Sequence, residues 1–369
     1  MPPPAGWNSE AMPLTVRPAV ASLPAYKAGR PAAVRPGQVT YKLSSNENPF
    51  PPLPGVLAAT GLACEQMNRY PDMGNTLMTE AVAERLALPP DRLAFGTGSV
   101  AVLYHLLQAV CEPQDEVVFA WRSFEAYPIA VQITGARPVP VPLGPGATHD
   151  LDAMLARISL ATRAILLCTP NNPTGAAIAH DDLVRFLDRV PDRILVVVDE
   201  AYVEFVNDAG AVRGLDVLDG RPNVAVLRTF SKAYGLAGFR VGFCVADPVL
   251  ARAVRSVSLP FGVSVPAQAA VLASLEAEAA LLERVATIVA ARDKLLTGLA
   301  GLGFDVPASQ ANFVWLPAGP QTPAYAERFA AAGLMVRPYA AGNDQDGVRV
   351  TVGEAEANQL VLDVAAGLG

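Results

Sequence analysis

VAVLRTFSKAYGLAGFRVGFCVA, residues 224–246, holds two apolar runs separated by a glycine-rich loop with one lysine. VAVLRT (224–229) and FRVGFCVA (239–246) read as buried strands, because they are short and apolar almost throughout. Lys232 between them is out of place unless it is paired or neutralised, since burying an ammonium is costly. An ordinary exposed loop lysine is the bland alternative. Thr229 and Ser231 flank it with hydroxyls, and Arg240 follows eight residues on. That set describes an anion cup beside an amine able to form an imine.

The same texture extends upstream. LAFG (93–96), EVVFA (116–120), AILLCT (164–169) and ILVVVDE (194–200) read as strands, and ARPVPV (136–141) as an extended piece. SVAVLYHLLQAV (99–110), FEAYPIAVQIT (124–134) and DDLVRFLDRV (181–190) read as helices between them. Helices alternating with strands covered on both faces predict parallel crossovers, hence a layered α/β domain. After Pro266 an Ala/Leu/Glu-rich run over 267–300 predicts one long bridging helix. FVWL (313–316), a helix near 322–332, LMVR (334–337), GVRVTV (347–352) and a helix from Glu354 predict a smaller α+β unit on its end. The expected division is an extended arm over 1–35, a large domain over 36–262 and a small one over 263–369.

Composition narrows the function classes. The 369 residues are 51% apolar and 17% charged, a globular balance that excludes disorder as the dominant state. Net charge is −7 and no basic stripe stands out, so nucleic acid is not an expected partner. No stretch approaches ~20 uninterrupted apolar residues, so no membrane span is expected. Early prolines without a basic, apolar leader argue against a signal peptide. Cys64, Cys111, Cys168 and Cys244 are scattered, which fits reduced thiols in a cytoplasmic protein. His105, His149 and His180 form no metal-binding pattern, and no metal is expected.

GTGSVA (96–101) follows a strand and opens a helix, matching G-x-G-x-x-A. A dinucleotide site also wants an acid at the end of the next strand, but Asp115 and Glu116 lie at that strand's start. The loop could cradle a dinucleotide, another phosphate, or simply make a tight turn. Asp199 ends an apolar strand, where α/β folds aim side chains into a ligand crevice, although a cap or turn carboxylate is equally compatible. Turn chemistry alone could likewise explain NNPTG (171–175).

In order, SNENP (45–49), GTGS (96–99), NNPTG, DEAY (199–202), TFSKAYGLAGFRVG (229–242) and VRVTVG (348–353) resemble the pyridoxal-phosphate enzymes of the aspartate-aminotransferase fold type I. The resemblance runs from Tyr26 onward. The lysine loop is most similar to the histidinol-phosphate aminotransferase group. The stretch from GTGSVAVLYHLL to WRSFEAYP (121–128) is closer to actinobacterial aromatic amino acid (phenylalanine) aminotransferases.

The resemblance implies a large α/β domain with a mostly parallel sheet, a smaller α+β C-terminal domain, and pyridoxal 5'-phosphate as cofactor. It implies that Lys232 forms the internal aldimine, that Asp199 pairs with the ring nitrogen, and that Tyr202 and Asn172 bond the phenolic oxygen. Phe124 would stack on the ring, and Ser99, Val100, Thr229, Ser231 and Arg240 would hold the phosphate. Arg349 would take the substrate carboxylate, with Asn46 and Tyr26 lining the substrate site. Tyr70 would reach the phosphate of the other subunit and Tyr26 would also come from the partner, making composite sites in a homodimer. Arg337 would bind a substrate phosphate, an acidic co-substrate, or neither.

The implied reaction is ping-pong transfer of an amino group from phenylalanine, tyrosine or tryptophan to 2-oxoglutarate. Histidinol phosphate as donor, or a decarboxylase on the same fold, are the alternatives within that chemistry. A non-catalytic cofactor-binding regulator and an NAD-dependent dehydrogenase resting on GTGSVA alone are those outside it.

Overall fold

The computed structural model describes residues 14–23 and 37–368. Of the arm expected over 1–35, the described part carries one helical turn, α1 (Pro18–Ala21), beside which Arg17 reaches the Ile133 carbonyl at 3.5 Å. Tyr26 lies outside the described residues.

β1 (Tyr41–Lys42) leads to α2 (Val56–Cys64) and α3 (Thr76–Leu86). The alternating stretch follows: β2 (Leu93–Gly96), α4 (Ser99–Val110), β3 (Glu116–Trp121), α5 (Ala126–Thr134) and β4 (Arg137–Pro142). It continues through α6 (Leu151–Ala156), β5 (Thr162–Cys168), α7 (His180–Leu187), β6 (Leu195–Asp199), β7 (Val224–Thr229) and β8 (Gly242–Val245). β2 to β8 form one seven-stranded sheet in the order β2-β8-β7-β6-β5-β3-β4. It is mostly parallel, as expected, and β8 alone runs antiparallel to its neighbours β2 and β7. The reason is the connection. Parallel strands need a crossover, whereas the lysine loop joins β7 to β8 directly, so the chain turns back.

Alternate strand residues supply two cores, because successive side chains point to opposite faces. Val118, Ile165, Val196, Val198, Val226 and Phe243 pack on one side with Leu183 and Phe186 of α7. Phe119, Leu166, Val197, Ala225 and Cys244 pack on the other with Leu103, Leu106 and Leu107 of α4 and Val131 of α5. Both faces being dry explains why these strands read as continuous apolar runs.

Beyond the sheet come α8 (Pro248–Val257), α9 (Val265–Glu276), α10 (Glu278–Gly301), β9 (Phe313–Pro317) and α11 (Thr322–Ala331). β10 (Leu334–Met335), β11 (Arg337–Tyr339), β12 (Gly347–Thr351) and α12 (Ala355–Ala365) complete the chain. The single helix expected over 267–300 is corrected to two, α9 and α10, bent by 82° at Ala277. α9 packs against α2, while α10 turns away to pack on α12 and β9. Tertiary packing thus overrides a sequence whose local propensity is helical throughout. The strand expected over 334–337 is also divided: β10 pairs with β1, and β11 joins β12 and β9 in an antiparallel three-stranded sheet. Among the described residues no single helix is long and apolar enough to cross a membrane.

Candidate active site

The C-terminal ends of β5, β6 and β7, the start of α4 and β12, the middle strand of the small sheet, converge on a cavity of about 430 Å³, a size suited to a small ligand. Lys232, Asp199, Tyr202, Asn172, Phe124, Ser99, Val100, Thr229, Ser231, Arg240, Asn46, Arg337 and Arg349 all line it. Tyr70 does not. It is 82% exposed and stacks on Phe261 at 4.7 Å between ring centres.

At one end, β6 delivers Asp199. Its Oδ2 accepts a hydrogen bond from the Tyr127 hydroxyl at 2.9 Å, and its Oδ1 is buried with no partner. Burial pushes this carboxyl up to about 6, against the opposing effect of the Tyr127 bond. A buried, half-satisfied carboxylate invites a cationic N–H donor.

Midway, Lys232 Nζ donates to the Ser45 carbonyl at 3.1 Å and lies 5.9 Å from the Tyr202 ring centre. Burial, reinforced by the charge of Arg349, brings its ammonium down to about 7 from 10.5. Neutral and charged forms of the amine are therefore both populated near neutral pH. The Tyr202 hydroxyl accepts from Asn46 Nδ2 at 2.9 Å. Asn46 is held by Thr351, whose Oγ1 accepts its backbone N–H at 2.9 Å and donates to its Oδ1 at 3.0 Å. Asn46 sits at φ +54°, in the left-handed region that asparagine tolerates.

The Lys232 shift carries a pH consequence for the cofactor-free protein. Between about 7 and 10.5 the unfolded chain holds a proton that the folded chain has released. Stability from this group therefore rises with pH across that window. Asp199 acts with the opposite sign in a separate window: its raised carboxyl makes stability fall as pH climbs from 3.8 to about 6. Urea unfolding of the parent and Lys232→Met proteins at pH 7 and pH 9 tests the lysine effect. The parent should gain more stability between the two values, and equal gains would contradict the assignment.

At the far end, α4 opens at Ser99 with no side-chain cap on its first amides, leaving them to an anion. Arg240 Nη1 donates to Ser231 Oγ at 3.4 Å and to the Ala237 carbonyl at 2.9 Å. Two glycines permit this closeness. A Cβ on Gly242 would stand 2.1 Å from the Ser99 nitrogen, and one on Gly98 would stand 2.5 Å from Arg240 Nη2. Hydroxyls, guanidinium and helix amides thus share one corner.

On the open side, Arg349 of β12 is buried, donating to Asn172 Oδ1, to the Tyr339 hydroxyl at 3.0 Å and to the Ser44 carbonyl, while its Nε has no partner. Arg337 pairs with Glu125 at 2.6 Å. The Phe124 ring meets Tyr127 edge-on at 5.7 Å. Sequence reasoning missed Tyr127, Glu125 and Tyr339. The first two lie in the quoted FEAY stretch, but nothing in their spacing shows that they reach Asp199 or Arg337.

A flat cofactor with a cationic ring nitrogen, an aldehyde and a phosphate fits this layout. Asp199 Oδ1 would meet the nitrogen, the Lys232 amine the aldehyde, and the Ser99–Arg240 corner the phosphate. Among the described residues no group of three or more His, Cys, Asp or Glu could hold a metal ion.

The family model "Aminotransferase class I and II" matches residues 39–364. An aromatic amino acid aminotransferase of Streptomyces coelicolor is 54% identical over 343 residues, 93% of this chain and 94% of that protein. One of Thermobifida fusca is 48% identical over 357 residues, 97% and 98% of the two chains. The solved histidinol-phosphate aminotransferase of Sinorhizobium meliloti, in complex with pyridoxal-5'-phosphate, is similar with a TM-score of 0.84 at 28% identity, covering 96% and 98%. An aspartate aminotransferase mutant of Thermus thermophilus shares the fold, with a TM-score of 0.80 at 24% identity, covering 96% and 99%. This chain belongs to the class I and II aminotransferases, the pyridoxal-phosphate-dependent transaminases.

Proposed function

We propose that this enzyme transfers the amino group of aromatic amino acids to 2-oxoglutarate. The observation that carries this choice over histidinol phosphate is the Glu125–Arg337 pair at 2.6 Å. An internal counter-ion on Arg337 serves a donor whose side chain is uncharged, whereas a donor that always brings a phosphate to that position would need none. Identities of 45% to 54% to proteins named aromatic amino acid aminotransferase agree with the reading.

Pyridoxal phosphate supplies an aldehyde that takes up amino groups and a cationic ring that draws electrons from the substrate Cα. The chain's residues do the rest. Asp199 would keep the ring nitrogen protonated, and Tyr202 and Asn172 would hydrogen-bond the phenolic oxygen. Phe124 would cover one ring face, and Ser99, Val100, Thr229, Ser231 and Arg240 would hold the phosphate. Arg349 would hold the substrate α-carboxylate and so aim the Cα–H at Lys232, with Asn46 bounding the site. Lys232 would take the Cα proton as a general base and return it as an acid. One substrate leaves before the next binds, so kinetics are ping-pong.

The assembly we propose is a homodimer with shared sites. Met67, Tyr70, Met73, Leu77, Leu259 and Phe261 are exposed apolar side chains around Tyr70, a face suited to a second copy. Light scattering should give a dimer, and a monomer at micromolar concentration would contradict this part.

The substrate test is a comparison of kcat/KM for phenylalanine and for histidinol phosphate, each with 2-oxoglutarate. Phenylalanine should lead by ~100-fold or more. Preference for histidinol phosphate would overturn the reading.

A further inference from the structure

We propose that Glu125 is the internal counter-ion of Arg337, and that exchange of this carboxylate for a substrate's own lets one cavity accept uncharged aromatic and acidic side chains in turn. The inference rests on the aromatic aminotransferase reading and deepens it. A ping-pong enzyme with those two substrates must place both side chains in the same space.

The residues are placed for such an exchange. Arg337 and Arg349 face each other in register across β11 and β12. Cross-strand partners project to the same face of a sheet, about 5 Å apart. Arg349 marks the α-carboxylate position, so Arg337 marks a second anion position one strand away, where a side chain would extend. The Tyr339 ring centre has the guanidinium carbons of Arg122, Arg337 and Arg349 at 5.6, 5.7 and 5.7 Å. Three positive charges gather there, and Glu125 contributes a carboxylate to them.

An aromatic side chain brings no charge. Beside it, an Arg337 without Glu125 would be a largely enclosed guanidinium with no carboxylate to balance its charge, which is unfavourable. Glu125 removes that penalty, because its Oε2 lies 2.6 Å from Arg337 Nη2. An acidic side chain brings its own carboxylate, and two carboxylates on one arginine repel each other unless one withdraws. Glu125 has somewhere to go. It and Arg337 also line a second cavity, of about 840 Å³, and Arg122 lines that cavity too. The Glu125 side chain is 24% exposed, against 11% for Arg337, so it is the less enclosed partner.

The test uses two ligands that cannot react, glutarate and 3-phenylpropionate, titrated calorimetrically into the cofactor-loaded enzyme. Glu125→Gln keeps the size of the side chain and removes its charge. The ratio of the glutarate Kd to the 3-phenylpropionate Kd should fall about tenfold, since the distal carboxylate no longer competes for Arg337. Arg337→Gln should move the ratio the other way, and adding Glu125→Gln to it should no longer lower the ratio. A ratio unchanged within about twofold in Glu125→Gln would overturn the proposal, as would a fall that persists in the double variant. If Glu125→Gln fails to fold, Glu125→Asp supplies the test: the shortened carboxylate should lower the ratio, and an unchanged ratio overturns the proposal. The substrate reading fails separately, if the parent enzyme binds glutarate but not 3-phenylpropionate.

Discussion

Lys232→Ala protein turns over phenylalanine at least ~10⁴-fold more slowly than its parent while keeping its fold. The loss is large because one amine does two jobs: it anchors the aldehyde and moves the proton at the substrate Cα. Among the described residues no other lysine can substitute. The chain has four, at 27, 42, 232 and 294. Lys42 is exposed and paired with Glu47 at 2.7 Å, and Lys294 lies on α10 away from the cavity lining. Lys232→Arg separates charge from chemistry. It keeps a cation in the loop, but arginine does not deprotonate in proteins and cannot serve as the base. Its turnover should fall as far as that of the alanine variant. Stopped-flow or steady-state assays of both, with thermal melting as the folding control, check this. Turnover within tenfold of the parent in either variant would contradict the role.

Asp199→Asn should lower kcat by ~10²–10³-fold, the range found when one preorganised electrostatic partner is removed. The amide matches the carboxylate in shape and still offers Tyr127 an acceptor, so the loss isolates charge. In the protein alone, burial holds the Asp199 carboxyl up at about 6. A cationic ring nitrogen at the unpartnered Oδ1 would pull it back down, so the ion pair forms at the expense of a proton. Asp199→Asn should therefore also weaken cofactor affinity, measured by dialysis and by the visible absorbance of the enzyme. Unchanged kcat together with unchanged affinity would remove Asp199 from the ring-nitrogen end.

Much of this was legible because the chemistry and the fold are written in the same places. The strands of the central sheet are covered on both faces, so they appear as undisguised apolar runs, and the site residues sit at their ends. Asp199 closes β6 and Thr229 closes β7, so reading the strand was nearly reading the site. What escaped did so for different reasons. α2, VLAATGLAC, is apolar nearly all round and presents no polar stripe with a 3.6-residue period. α8 did carry a signal: Asp247 caps it by accepting the Val249 N–H, with Pro248 in its first turn. The bend at Ala277 follows from partners that α9 and α10 meet only in three dimensions. The same holds at the site, where Tyr127 reaches Asp199 across 72 residues and Glu125 reaches Arg337 across 212.

The account rests on the identity of the amine that carries the cofactor, and borohydride reduction of the loaded enzyme followed by peptide mass mapping measures it directly. With four lysines in the chain the outcome is unambiguous. The pyridoxyl mass should appear on the peptide containing Lys232 and on no other. A label on Lys27, Lys42 or Lys294, or no covalent label on a catalytically active protein, would contradict it.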